Sequence, residues 1–143
     1  MQGQTSINVT VSTPTPAEGS NVAFTCQFSV RNTGTLANVL WRYGHQFSTT
    51  VTIVDWRYID PDNVYYGSGY SAPKHQMTIA EIVTEGQTRL SIDPVVPQQD
   101  DGRYWCETVY LDDSDNAYAD IQVVGKCETE ECKLLDNACS QIL

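Results

Sequence analysis

The sequence predicts an all-β protein built as a two-sheet sandwich. Short apolar/polar alternations recur through the first 125 residues, clusters of turn formers separate them, and no long segment sustains a 3.6-residue apolar period. Counting the runs gives eight or nine strands, the number expected of two packed layers. The chain has 143 residues, 41% of them apolar and 18% charged, enough for one domain with a single core and too few for two of ordinary size.

Taken in order, Ile7, Val9 and Val11 alternate with polar neighbours. Pro14, Pro16 and Gly19 then interrupt, as where an edge strand changes sheets. In Val22-Ala23-Phe24-Thr25-Cys26-Gln27-Phe28 the even positions are apolar, which turns Val22, Phe24, Cys26 and Phe28 to one buried face. A polar loop through Asn32, Thr33 and Gly34 leads to a run that points Val39 and Trp41 inward and Leu40 and Arg42 outward. A further strand is expected from Thr49 to Trp56, followed by a long turn-rich connection through Asp60-Pro61-Asp62-Asn63 and Gly67-Ser68-Gly69. Strands near 76–83 and 87–93 flank Glu85-Gly86, read as a hairpin turn. Arg103 to Tyr110 and Tyr118 to Val124 supply the last pair.

Asp100, Gly102, Tyr104 and Cys106 recur at two-residue intervals, preceded by Leu90, Ile92 and Val95, with Cys26 and Trp41 upstream. In this pattern residues 5–125 resemble the immunoglobulin superfamily. The resemblance implies a Greek-key sandwich in which Cys26 and Cys106 bridge the two sheets and Trp41 packs against the bridge. Closing a loop of about 80 residues is worth roughly 4 kcal/mol on the chain-entropy account. It also implies that the Tyr104 hydroxyl satisfies a backbone group at a strand corner, that Gly102 relieves crowding there, and that Asp100 pairs with a basic side chain. Lys74 is the first candidate for that partner and His75 the second. The cysteine separation leaves room for two extra strands, which favours the variable type. Asn116-Ala117-Tyr118-Ala119-Asp120 lacks the glycine that opens the last strand of receptor variable domains, which puts antibody-like pairing in doubt. Tyr104-Trp105 before Cys106 is similar to the polymeric immunoglobulin receptor group and to variable-region-containing proteins of lower chordates. The former often carry a second bridge near Trp41, and no cysteine lies there.

Eight basic residues against 18 acidic ones give a formal charge of -10, which disfavours nucleic acid and anionic membrane surfaces as partners. No run approaches 18 consecutive apolar residues, so no bilayer span is expected. Gln2-Gly3-Gln4 behind Met1 reads as a mature or engineered start. Five cysteines without zinc-type spacing point to an oxidising compartment, and hence to a secreted protein or the ectodomain of a cell-surface protein. There Asn8-Val9-Thr10 is a candidate glycosylation site at Asn8. No nucleophile motif, metal-ligand spacing or phosphate-cradling loop appears, so no catalysis, metal or cofactor is expected.

Function is then expected on two surfaces. Alternation turns Arg103, Trp105 and Glu107 outward beside Leu40 and Arg42, with Tyr118, Asp120 and Gln122 joining them. Trp105 there is either an interface anchor or a ring stacked on Arg42 or Arg103. At the loop end, 29–37, 55–70 and 110–117 should cluster. Trp56, Tyr58, Tyr65, Tyr66 and Tyr110 are candidate ligand residues, although some of these rings must pack locally. Asp112, Asp113 and Asp115 make an acidic turn open to three readings: solvated charge, a basic-ligand patch or a calcium site. Residues 126–143, with Cys127, Cys132 and Cys139, read as a hinge, a stalk or the start of another module, and an unmatched thiol there could join two chains or pair with a cysteine in a further segment. The expected function is non-enzymatic, immune-type recognition of a protein or glycan. The alternatives are an adhesion module dimerising through the outer sheet face and a lectin-like binder stacking sugars on Trp56, Tyr65 or Tyr66.

Overall fold

The structure, a computed structural model, describes residues 7–29 and 36–125. Cys127, Cys132 and Cys139 and most of the first loop lie outside the described residues. Nine strands are described: β1 (Ile7–Val11), β2 (Val22–Phe28), β3 (Leu36–Tyr43), β4 (Val51–Arg57), β5 (Asp60–Tyr66), β6 (His75–Thr78), β7 (Gln87–Ile92), β8 (Gly102–Tyr110) and β9 (Ser114–Ile121). They form two antiparallel sheets in the orders β1-β2-β7-β6 and β5-β4-β3-β8-β9, an immunoglobulin-like Greek-key sandwich of nine described strands.

Alternation builds the layers as expected. Val22, Phe24, Cys26 and Phe28 of β2 and Leu90 and Ile92 of β7 face Val39, Trp41, Tyr104 and Cys106 across the interior, all buried. Cys26 and Cys106 form the inter-sheet disulfide, with their Cα atoms 6.2 Å apart. Phe24 lies between the rings of Trp41 and Tyr104, at 6.2 and 4.6 Å.

At the pole where β7 passes into β8, the polar residues close the frame. Lys74 Nζ lies 3.0 Å from Asp100 Oδ2, so Lys74 is the basic partner. Asp100 Oδ2 also accepts the Val96 amide at 2.6 Å, and the Tyr104 hydroxyl donates to the Asp100 carbonyl at 2.7 Å. Burial, the largest cause, and the Asp100 carboxylate push the Tyr104 hydroxyl far above its usual range, so it remains a donor. Gly102 has φ +133°, and a Cβ there would lie 2.8 Å from the Tyr43 hydroxyl oxygen. The segment through Pro14 and Pro16 crosses from β1 to the other sheet, where Ala17 bridges Val124 in parallel.

Three elements differ from the sequence reading. The turn-rich stretch after Trp56 is strand β5, because an edge strand tolerates Pro61 and because Val64 and Tyr66 turn inward against the core. The strand expected near 76–83 ends at Thr78, and one helical turn, α1 (Ile82–Glu85), takes the place of its end and of the hairpin, finishing in left-handed Gly86 at φ +66°. The last strand begins at Ser114, four residues earlier than expected, and pairs with β8 in unbroken register from Gly102↔Ile121 to Val109↔Ser114. The glycine-free start therefore carries no bulge.

Two outcomes follow from the interior. Thr108 is fully buried on β8, and its hydroxyl has no hydrogen-bond partner among the described residues. Replacing that desolvated hydroxyl by a methyl in Thr108→Val should raise stability by about 1 kcal/mol in chemical denaturation. Buried His75 packs edge-on to Tyr70 at 5.0 Å, and its pKa lies below the usual value, chiefly through desolvation and against an opposing pull from Asp100. The unfolded chain thus takes up this proton first, so stability should fall as pH drops below about 6.5. His75→Phe should flatten that part of a pH–stability curve.

Candidate functional site

The outer face of the five-stranded sheet is built from the residues that alternation turns outward, but they satisfy one another. Trp105 is 8% exposed, with its ring between Phe47 and Tyr118 at 5.3 and 4.7 Å and its indole N–H donating to the Gly44 carbonyl at 2.7 Å. Arg42 donates to Glu107 at 2.8 Å, and Glu107 and Leu40 are buried. Arg103 holds Asp120 through two nitrogens at 2.8 and 3.2 Å and lies 3.9 Å over the Tyr118 ring. Outward-facing Trp105, read from sequence as either an interface anchor or a ring stacked on Arg42 or Arg103, is a ring covered by Phe47 and Tyr118. Its cover includes Phe47 from a 3-10 turn, which sequence alternation does not reach. Tyr118 is the large apolar residue of this group left open, at 45%.

The loop end also differs from expectation. Trp56 is 1% exposed and gives its N–H to the Pro61 carbonyl at 3.0 Å, so it is core and not a ligand platform. Tyr66 turns inward, with its hydroxyl on the His75 carbonyl at 2.6 Å. Tyr110 is buried, and its hydroxyl reaches the Ser29 carbonyl at 3.3 Å. Tyr65 stays half open on the β5 edge, under the Arg57 guanidinium at 3.9 Å and hydrogen-bonded to Asp60. Only Tyr58, of the five aromatics singled out, stands at the tip of the loop end.

What the structure gathers there is a different set. Tyr58 and Ile59 form the tip between β4 and β5, and Leu111 forms the tip between β8 and β9. With Leu36, Ala37, Asn38 and Arg57 they line a recess of about 280 Å³. Ile59 is 91% and Leu111 75% exposed. Their signal in the sequence is an apolar residue inside a turn segment, Tyr58-Ile59-Asp60 and Tyr110-Leu111-Asp112. Single exposed apolar residues are ordinary, but these share one concavity.

The recess is held firmly. The Tyr58 amide donates to the Ala37 carbonyl at 2.9 Å, tying the first tip to β3, and the Tyr58 ring stands edge-on to Trp56 at 6.2 Å. The Tyr110 amide donates to the Asp113 carbonyl at 2.8 Å and closes the second tip. Arg57 binds Asp55 at 3.1 Å, and Asp55 also accepts from the Asn38 side-chain Nδ2 at 3.0 Å. Asp112 and Asp113 are exposed beside Leu111, whereas Asp115 lies half-buried on β9. Among the described residues no group of three or more His, Cys, Asp or Glu side chains could hold a metal ion, and no helix is long and apolar enough to cross a membrane.

No protein-family model matches this chain, and no curated protein matches it.

If the outer-face network is structural, Arg42→Ala should cost about 2 kcal/mol in denaturant unfolding, because it strands a buried carboxylate. Arg42→Leu combined with Glu107→Leu should recover most of that loss.

Proposed function

We propose that this chain is an extracellular, variable-type immunoglobulin domain that recognises a protein partner without catalysis, through the loop end around Ile59 and Leu111. The observation that carries the reading is two nearly bare apolar side chains set on either side of a hydrogen-bonded recess. Such side chains gain from removal to a partner's surface, roughly 25 cal/mol for each Å² covered. The backbone bonds that fix both tips keep the ordering cost of association low. This is the arrangement of binding loops on a rigid scaffold.

An oxidising compartment is supported by the Cys26–Cys106 disulfide, since such bonds persist outside the reducing cytosol. Asn8 and Thr10 are both exposed on edge strand β1, which suits a glycan at Asn8. The adhesion reading through the sheet face is less favoured, because Trp105, Arg42, Glu107 and Arg103 already have partners within the chain. The lectin-like reading is less favoured, since the Trp56 ring is buried, Tyr66 packs inward, and Tyr65, the one of the three left half open, has the Arg57 guanidinium over its ring.

A panel of secreted and cell-surface proteins, probed with this domain as a tetramer, should yield a ligand whose binding falls at least about tenfold in Ile59→Ser and in Leu111→Ser. The melting temperature should not move, since both residues are exposed. A ligand that ignores both substitutions and is lost with Tyr118→Ala would move the site to the sheet face.

A further inference from the structure

Resting on the extracellular part of that reading, we infer that Thr15 is the acceptor of an O-linked sugar, an N-acetylgalactosamine transferred from its uridine diphosphate ester. Backbone shape is the first ground. The segment that leaves β1 reads Ser12-Thr13-Pro14-Thr15-Pro16, and hydroxyl residues interleaved with proline are the composition of O-glycosylated chain. Residues 12–16 belong to no helix or strand. Each threonine precedes a proline, whose ring excludes the helical region for the residue before it. Thr15 is therefore held extended before any enzyme meets it, which lowers the ordering cost of entering a cleft that reads extended polypeptide.

The state of the hydroxyls is the second ground. Four stand between β1 and β2, at Ser12, Thr13, Thr15 and Ser20. Ser12 Oγ accepts the Ala23 amide at 3.0 Å, Thr13 Oγ1 accepts the Thr15 amide at 3.4 Å, and Ser20 Oγ donates to the Ala17 carbonyl at 2.6 Å. A sugar on any of these three oxygens would disturb the bond that it makes. The Thr15 hydroxyl makes no hydrogen bond among the described residues, and Thr15 is exposed where Thr13 is half-buried.

Anchorage is the third ground. The Pro14 and Pro16 carbonyls accept the Gln122 and Val124 amides, both at 2.9 Å, and Pro16 is buried. Asp101 holds the Val123 amide between them, so Thr15 is presented from fixed backbone near the Asp100 pole, and a sugar there leaves Ile59 and Leu111 clear. The transfer is a substitution at the anomeric carbon. A bond forms from Thr15 Oγ1 to that carbon, and the bond from the carbon to the diphosphate oxygen breaks. The hydroxyl proton passes to the departing diphosphate, and uridine diphosphate leaves.

The full chain can be sent through the secretory pathway of cultured animal cells behind an added leader, and then freed enzymatically of any sugar at Asn8. Electron-transfer mass spectrometry of its peptides should find an N-acetylhexosamine on Thr15. Thr15→Val should remove that mass without moving the melting temperature, and Thr13→Val should retain it. Sugar on Ser12, Thr13 or Ser20 in place of Thr15 would overturn the assignment. A bare Thr15 in protein whose Cys26 and Cys106 are linked would overturn the inference and leave the extracellular reading standing. If Cys26 and Cys106 stay unlinked along that route, the extracellular reading falls and the inference with it.

Discussion

The covalent link between Cys26 and Cys106 sets the distance at which the two sheets face each other, and the indole of Trp41 and the ring of Phe24 fill the space beside it. Neither sheet could bury its inner face alone, so each layer depends on the other for its desolvation. Every outward position is a consequence of that arrangement. Once Cys106 points in, Trp105 and Glu107 must point out. Once Trp41 points in, Leu40 and Arg42 must face the same way as Trp105.

The far pole repeats the logic with polar groups. Asp100 takes the Lys74 ammonium and the Val96 amide through one oxygen, while its own carbonyl receives the Tyr104 hydroxyl. Asp101 accepts the Val123 amide at 2.6 Å, which draws the segment after β9 onto the same corner. Buried donors and acceptors there are paired, as a low-dielectric interior requires. The loop end differs in kind, with its backbone groups bonded and its tips left apolar and open. One pole is finished within the chain and the other is not.

Much of this was legible in the sequence where the signal is local. Two-residue alternation placed Cys26, Trp41, Tyr104 and Cys106 correctly, because side-chain direction in a strand depends on parity alone. Lys74 was recognised as the partner of Asp100 from the immunoglobulin resemblance. Strand β5 was not legible, since Pro61, Asp62 and Asn63 are turn formers that only an unpaired sheet edge accommodates. Parity gave the direction of Trp105 but not its burial, which comes from Phe47, 58 residues earlier. Aromatic content drew attention to Trp56 and Tyr66, which the core claims, while Ile59 and Leu111 stood in turns where a single aliphatic residue carries no periodicity.

The parallel bridge between Ala17 and Val124 bears on how the molecule is held. It docks the outgoing chain at the Asp100 corner, on the side of the sandwich farthest from Ile59 and Leu111. A tether or neighbouring module attached after Gly125 would therefore hold the domain by its foot. The head would face away from whatever carries it, free to meet a second surface without the attachment standing in the way.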